Sequence, residues 1–155
     1  MSFYRTAVEL QPGSAATIER IVTESDTSAA AGTSNVAVLA TPSIILFAEQ
    51  AIWAALEGRL EAGTSAVEHR VEISHLAPTP VGAKVKAEAI LEAIEGRRLV
   101  FRVSVSDERG LVAAGRFTRV IVSTERFLEK AGEGEEPPAK FTSGRSTAGK
   151  RRRGQ

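Results

Sequence analysis

Residues 42–56 read PSIILFAEQAIWAAL, an apolar run that contains a single carboxylate, Glu49. Thr41 is predicted as the N-cap of a helix here and Pro42 as its first residue, because these residue types favour those positions. A helix that is apolar on most faces is typical of one buried in the centre of a domain. An acid in such a helix is costly unless a partner relieves the charge. Glu49 is therefore predicted to lie either at a rim or in a functional site.

Four stretches in which apolar and polar residues alternate follow the helix, and turn residues separate them. They cover residues 66–75, 84–93, 98–106 and 111–122. The first stretch is predicted to place its apolar residues and both histidines of the chain on one face: Val67, His69, Val71, Ile73 and His75.

The order of the predicted elements decides the fold class. A short strand is predicted at 16–22, a loop at 24–34, and a short helix at 124–131. Because no helix separates the four later strands, they are predicted to form an antiparallel sheet. We expect an α+β protein with the hotdog fold, in which the sheet wraps around one long central helix. A second copy can extend the open edge of such a sheet, so a homodimer is expected.

The composition narrows the functional classes. The chain has 155 residues, 43% of them hydrophobic, which is the size of one domain with a core. It has no cysteine, so disulfides, thiolate metal sites and a cysteine nucleophile are excluded. The N-terminus shows no secretory signal, and the run at 42–56 is shorter than the about 20 residues that span a membrane. A cytoplasmic protein with no membrane partner is expected.

The net charge of +1 is unevenly distributed. The segment 132–155 holds six basic and three acidic residues and is rich in small and polar types. We predict a hotdog domain at 1–131 and a disordered basic tail at 132–155. The remaining chain carries a net charge of −2 and gives no reason to expect nucleic acid binding by the folded body. The terminal Lys-Arg-Arg-Arg is read as a solvated end, with contact to RNA or anionic lipid as the alternative.

Three blocks, in this order, resemble the fluoroacetyl-CoA thioesterase-like family of hotdog proteins. They are Ala40-Thr41-Pro42 followed by Glu49, then SHLAPTPVG at 74–82, then EGRRL at 95–99 before a strand. The resemblance covers roughly residues 8–128. It implies hydrolysis of a small acyl-CoA thioester at a dimer interface, with no cofactor. The catalytic threonine, glutamate and histidine of the family carry over to Thr41, Glu49 and His75.

The same resemblance implies a basic substrate-binding residue on the last strand, which is assigned to Arg119, with Arg116 as a close alternative. The chain departs from the family pattern in two places. A glycine seven residues before the histidine is replaced by Glu68, so no oxyanion donor is assigned there. The segment 27–40 lacks the bulky aromatic residues of the fluoroacetyl-specific members, which favours a different or larger acyl group.

The residues themselves leave the chemical roles open. His75 suits a general base near neutral pH. Glu49 could orient that imidazole or attack the thioester carbonyl, and Thr41 could attack after giving its proton to His75. Eight residues of helix separate Thr41 and Glu49 by about 12 Å, so either the substrate bridges them or they come from different subunits.

His69 is interpreted as a packing or interface residue. A metal site is not expected, because His69 and His75 would lie roughly 20 Å apart along one strand. Basic residues near two strand ends are read as a solvated sheet edge, with coenzyme A phosphates as the alternative: Lys84, Lys86, Arg97 and Arg98. The competing functions are a non-catalytic acyl-CoA binding or sequestering protein, and an enoyl-thioester hydratase or dehydratase. The second usually needs an aspartate and a histidine a few residues apart, which the sequence lacks.

Overall fold

A computed structural model describes residues 9–132 of the chain. Most of the predicted basic tail, residues 133–155, lies outside the described residues, so its disorder stays a prediction. The elements in chain order are β1 (Ala15–Ile21), a 3₁₀ turn (Glu24–Asp26), α1 (Ser28–Ala31), α2 (Thr41–Leu56), β2 (Thr64–His75), β3 (Lys84–Glu95), β4 (Arg98–Asp107), β5 (Gly110–Ser123) and α3 (Thr124–Lys130).

The five strands form one antiparallel sheet in the order β1-β3-β4-β5-β2, with α2 packed against it. The predicted hotdog arrangement is confirmed. The ends of each of the five predicted strands lie within two residues of the ends of an observed strand. The predicted helical end at 124–131 is also present, as α3. Within residues 9–132, none of the helices has the length and apolar character required to cross a membrane.

The core lies between the inner face of the sheet and one side of α2. Alternate residues of β3 and β4 are fully buried, as their period-two pattern predicts. They are Val85, Ala87, Ala89 and Leu91 of β3, and Leu99, Phe101, Val103 and Val105 of β4. The α2 side chains that pack with them are Ile44, Phe47, Ala48, Ala51, Ile52, Ala55 and Leu56.

The other side of α2 is open in the protomer, although the sequence predicted a helix buried on most faces. Leu46 and Trp53 are 48% and 56% exposed. Glu49 lies between them on the same side of the helix, because positions three and four apart are neighbours. The helix packs mainly against β1, β3 and β4. The sheet therefore covers α2 on one side and leaves Leu46 and Trp53 exposed on the other, with the half-buried Glu49 between them.

A β-bulge in β2 corrects the predicted faces of that strand. The pairing with β5 shifts between Glu68 and Arg70, so His69 is an extra residue with no partner in the register. Residues after the bulge follow the predicted face, with Ile73 opposite Gly115 and His75 opposite Ala113. Before the bulge the faces are exchanged, and Glu68 instead of Val67 points inward.

The predicted loop at 24–34 is partly helical. It contains the 3₁₀ turn and α1, and the Thr27 hydroxyl oxygen caps α1 by accepting from the Ala30 amide. The Ala40 amide donates to the Asp26 carbonyl at 2.8 Å, and the Leu39 amide donates to the Thr79 carbonyl at 2.9 Å. The first bond ties the start of α2 to the 3₁₀ turn, and the second ties it to the loop that follows β2.

Candidate active site

Thr41 is the first residue of α2, and its hydroxyl does not cap the helix. The N-cap position belongs to Ala40, which has no capping side chain, and Pro42 lies one position later than predicted. The Thr41 hydroxyl instead contacts the Nδ1 atom of His75 at 2.8 Å. The predicted N-cap role is therefore wrong, because the hydroxyl that would have capped the helix bonds to the histidine.

His75, at the end of β2, is half-buried and held in one tautomer by a backbone carbonyl. Its Nε2 atom lies 3.1 Å from the carbonyl oxygen of Ala77. A carbonyl oxygen only accepts, so Nε2 carries the hydrogen and the neutral ring has its lone pair at Nδ1. The Thr41 hydroxyl therefore donates to Nδ1. This arrangement suits a general base that activates a hydroxyl nucleophile.

Glu49 does not join this pair. Thr41, Ile45 and Glu49 follow one another at intervals of four residues, so they share the side of α2 that faces β2. The N-terminal end of this row meets His75, and Glu49, about 12 Å further along the axis, meets Glu68. In the protomer the three predicted catalytic residues are thus divided between two polar clusters. The imidazole of His75 is oriented by Ala77 and not by Glu49.

Arg119 is the centre of the second cluster. Its side chain is almost fully buried, and each of its nitrogens donates within the protein. Nε donates to Glu68 Oε2 at 3.0 Å, while the two terminal nitrogens donate to the Ala66 and Glu49 carbonyl oxygens, each at 3.4 Å. The alternative residue, Arg116, is exposed and pairs with Glu92 on the outer face. Of the two arginines, Arg119 is the one on the site side of the sheet.

Glu68 is the residue of this cluster that sequence reasoning did not assign. Burial raises the pKa of Glu68 from its ordinary value of 4.5 to about 7; the Arg119 guanidinium opposes this rise and the nearby Glu49 carboxylate adds to it. Among the described residues, the buried Glu68 Oε1 atom has no hydrogen-bond partner. The alternating pattern placed Glu68 on the outside, and only the bulge turns it inward.

His69, the second histidine, is exposed at the bulge, so it does not pack in the protomer, and its alternative role at an interface stays a prediction. An open cavity of about 1030 Å³ lies near the site and is lined in part by Ile45, Val71 and Ile73, which lie between the two clusters. Its lining includes none of the three predicted catalytic residues. The candidate site is therefore defined by the hydrogen bonds of its side chains and not by this cavity.

The sequence of residues 22–125 matches the model of the family described as fluoroacetyl-CoA-specific thioesterase, FlK. The chain belongs to this family. A fluoroacetyl-CoA thioesterase of Streptantibioticus cattleyicolor is 33% identical over 93 residues, which are 60% of this chain and 67% of that protein. The chain is accordingly a thioesterase, and the family resemblance seen in the three sequence blocks is confirmed.

Solved structures of similar proteins share this fold. The fluoroacetyl-CoA thioesterase FlK superposes with a TM-score of 0.74 at 27% identity, over 82% of this chain and 98% of that one. A variant of FlK in complex with fluoroacetate and CoA gives 0.71 at 27% identity, over 76% and 99%. A hot-dog-like protein from Thermanaerovibrio acidaminovorans gives 0.74 at 26% identity, over 79% and 90%.

Proposed function

We propose that this thioesterase hydrolyses a small acyl-CoA to the free acid and CoA, and that Thr41, His75 and Glu49 carry the reaction at a dimer interface. The observation that carries the proposal is the 2.8 Å contact between the Thr41 hydroxyl and His75 Nδ1. The Ala77 carbonyl supports the tautomer that this contact needs. A structural N-cap would not use its hydroxyl in this way.

The proposed reaction starts with attack of Thr41 Oγ1 on the thioester carbonyl, while His75 Nδ1 takes the hydroxyl proton. Thr41 is the first residue of a 16-residue helix, so the positive end of the helix dipole favours the negative charge that develops on the carbonyl oxygen. The C–S bond then breaks, and the CoA thiolate takes the proton from the imidazolium. Water activated by His75 next hydrolyses the threonine ester, which frees the acid and restores the hydroxyl.

Glu49 is proposed to act in the site of the partner subunit. Support comes from its place on α2, between the exposed Leu46 and Trp53. An apolar stripe of this kind is what a second copy would cover, and β2 lies at an edge of the sheet where another strand can pair. In such a dimer Glu49 faces the partner, while Arg119 contributes a positive charge behind it.

The acyl group is proposed to be larger than fluoroacetyl. The segment 27–40 directly precedes Thr41 in the chain, and backbone bonds from Ala40 to Asp26 and from Leu39 to Thr79 hold its end in place. It contains no aromatic residue, and its Val36 side chain is 49% exposed. Small and aliphatic side chains beside the nucleophile leave room that aromatic rings would fill.

The test is release of free thiol from a panel of short, branched and aromatic acyl-CoAs, with the acid product identified by mass spectrometry. We expect turnover, fastest for acyl groups larger than fluoroacetyl. Tight binding by calorimetry without thiol release would support the non-catalytic binder instead. Addition of water to an enoyl-CoA without thiol release would support the hydratase.

A further inference from the structure

The second polar cluster, around Arg119, contains two acidic side chains and one basic side chain. Glu68 reaches it from β2, Arg119 from β5 and Glu49 from α2. The Arg119–Glu68 pair is well shielded, since the two side chains are 10% and 23% exposed. Arg119 can neutralise one carboxylate but not two, and its terminal nitrogens are committed to backbone carbonyls. The cluster would therefore carry an uncompensated buried charge if both acids were ionised.

The two carboxylate oxygens of Glu68 differ in their hydrogen bonds. Glu68 Oε2 accepts from Arg119 Nε at 3.0 Å, whereas the buried Oε1 accepts from no donor among the described residues. Arg119, which donates to Glu68, also donates to the Glu49 backbone carbonyl at 3.4 Å, so one guanidinium lies beside both acids, and the neighbouring Glu49 carboxyl group adds to the raised pKa of Glu68. Two carboxylates can bond only when one of them holds a proton. A proton on Oε1 would satisfy that atom and join the two acids.

We propose that Glu68 is a positioning residue for Glu49: in its protonated form it donates a hydrogen bond from Oε1 to the Glu49 carboxylate, while Oε2 accepts from Arg119. Glu49 then keeps one negative charge in a fixed orientation. When Glu68 loses its proton, the two carboxylates repel each other and this orientation is lost. The pKa of Glu68, raised by burial to about 7, places this change near neutral pH.

Glu68 lies outside the proposed catalytic set, because the family resemblance supplies no acid at this position. An effect of Glu68 on the rate depends on the proposed role of Glu49 in hydrolysis. The proton shared between Glu68 and Glu49 does not depend on that role. The two parts therefore need separate measurements.

The shared proton is tested by ¹³C NMR titration of the glutamate carboxyl groups in the whole protein. We expect one carboxyl to titrate at a midpoint near pH 7 in the wild type and to be absent in Glu68→Gln. In Glu49→Gln the same carboxyl should titrate closer to 4.5, because the neighbouring charge is gone. Glu72→Gln is the matched control: it makes the same change on an exposed residue of β2 and should leave the midpoint in place. A wild type without such a carboxyl, or a midpoint that Glu49→Gln does not move, would overturn the proposal.

The effect on catalysis is tested by the pH dependence of kcat/KM. In the wild type we expect the rate to fall by about 10-fold or more as the pH rises through the Glu68 titration, since loss of orientation alone can cost up to about 100-fold. Glu68→Gln can still donate to Glu49 and accept from Arg119, so it should lack this alkaline fall and stay within about 3-fold of the wild type below it. An unchanged alkaline fall in Glu68→Gln would contradict the positioning role even if the NMR midpoint were found. A protein that titrates as expected but hydrolyses no acyl-CoA would contradict the proposed function alone.

Discussion

The Thr41 hydroxyl is used for contact with His75 and not for the backbone of its own helix. A capping threonine typically contributes about 1 kcal/mol to stability by accepting from a backbone amide in the first turn. Here no capping bond is present, and the hydroxyl donates to an imidazole 34 positions along the chain. A purely structural threonine at this position would bond to the helix backbone. The bond from Thr41 to His75 therefore distinguishes the candidate site at the scale of single residues.

Glu68 makes stability depend on pH in a defined direction. Because its pKa is higher in the folded protein than in the unfolded chain, its favourable contribution is complete below about pH 4.5 and is lost as the pH rises through about 7. We therefore compare the free energies of unfolding of Glu68→Gln and of the wild type. As the pH rises from 5 to 8, the difference should change by about 1 to 3 kcal/mol in favour of Glu68→Gln. Urea unfolding at the two pH values measures this difference. The same experiment with Glu72→Gln should show no such gain, and an equal difference at both pH values would contradict the assignment.

At the scale of elements, the contact between β2 and β5 depends on one glycine. Gly115 pairs with Ile73, and a Cβ at position 115 would overlap the backbone carbonyl oxygen of Glu72. Gly115→Ala should force the two strands apart between the bulge and His75. We expect a loss of about 1 to 3 kcal/mol in the free energy of unfolding. Thermal or urea unfolding measures it, with Ala114→Ser on the same strand as a control of similar size. A Gly115→Ala protein as stable as the control would show that the strands can separate without cost.

The same strands show how far the sequence could predict the structure. Regular alternation located β3 and β4 and their buried residues, because period-two burial in a sheet is a local property. The bulge at His69 could not be found in this way, since it depends on how β2 pairs with β5. One extra residue exchanged the faces before it, which is why Glu68 was assigned no inward role.

The candidate site was predictable to a similar extent. Thr41, Glu49 and His75 could be selected by family resemblance, and the helical spacing correctly indicated that Thr41 and Glu49 do not meet within one helix. The Ala77 carbonyl could not be selected, because a backbone acceptor has no sequence signal. The partners of Arg119 were equally inaccessible, since all three depend on tertiary contacts.

At the scale of the whole molecule, the proposal that Glu49 acts across a dimer predicts complementation between two inactive chains. A Thr41→Ala chain keeps its glutamate, and a Glu49→Gln chain keeps its threonine. A hybrid dimer of the two has one site with both residues intact if Glu49 acts in the partner's site, and none if it acts in its own.

Random mixing should therefore restore about a quarter of the wild-type rate, because half of the dimers are hybrids with one complete site each. The measurement is thiol release after co-expression of differently tagged chains, with each variant alone as the control. Hybrids as inactive as the single variants would show that Glu49 does not reach the partner's site. A monomer by sedimentation would exclude the shared site.

Hydrolysis is proposed to depend on His75 as the base for Thr41, and the two histidines of the chain allow a matched test. His75 bonds to Thr41, whereas His69 is exposed at the bulge of the same strand. The decisive measurement is kcat/KM for thiol release from the best acyl-CoA of the panel, in His75→Ala and His69→Ala. We predict a loss of roughly 100- to 10,000-fold in His75→Ala and a rate close to the wild type in His69→Ala. A His75→Ala protein that keeps the wild-type rate would contradict the account.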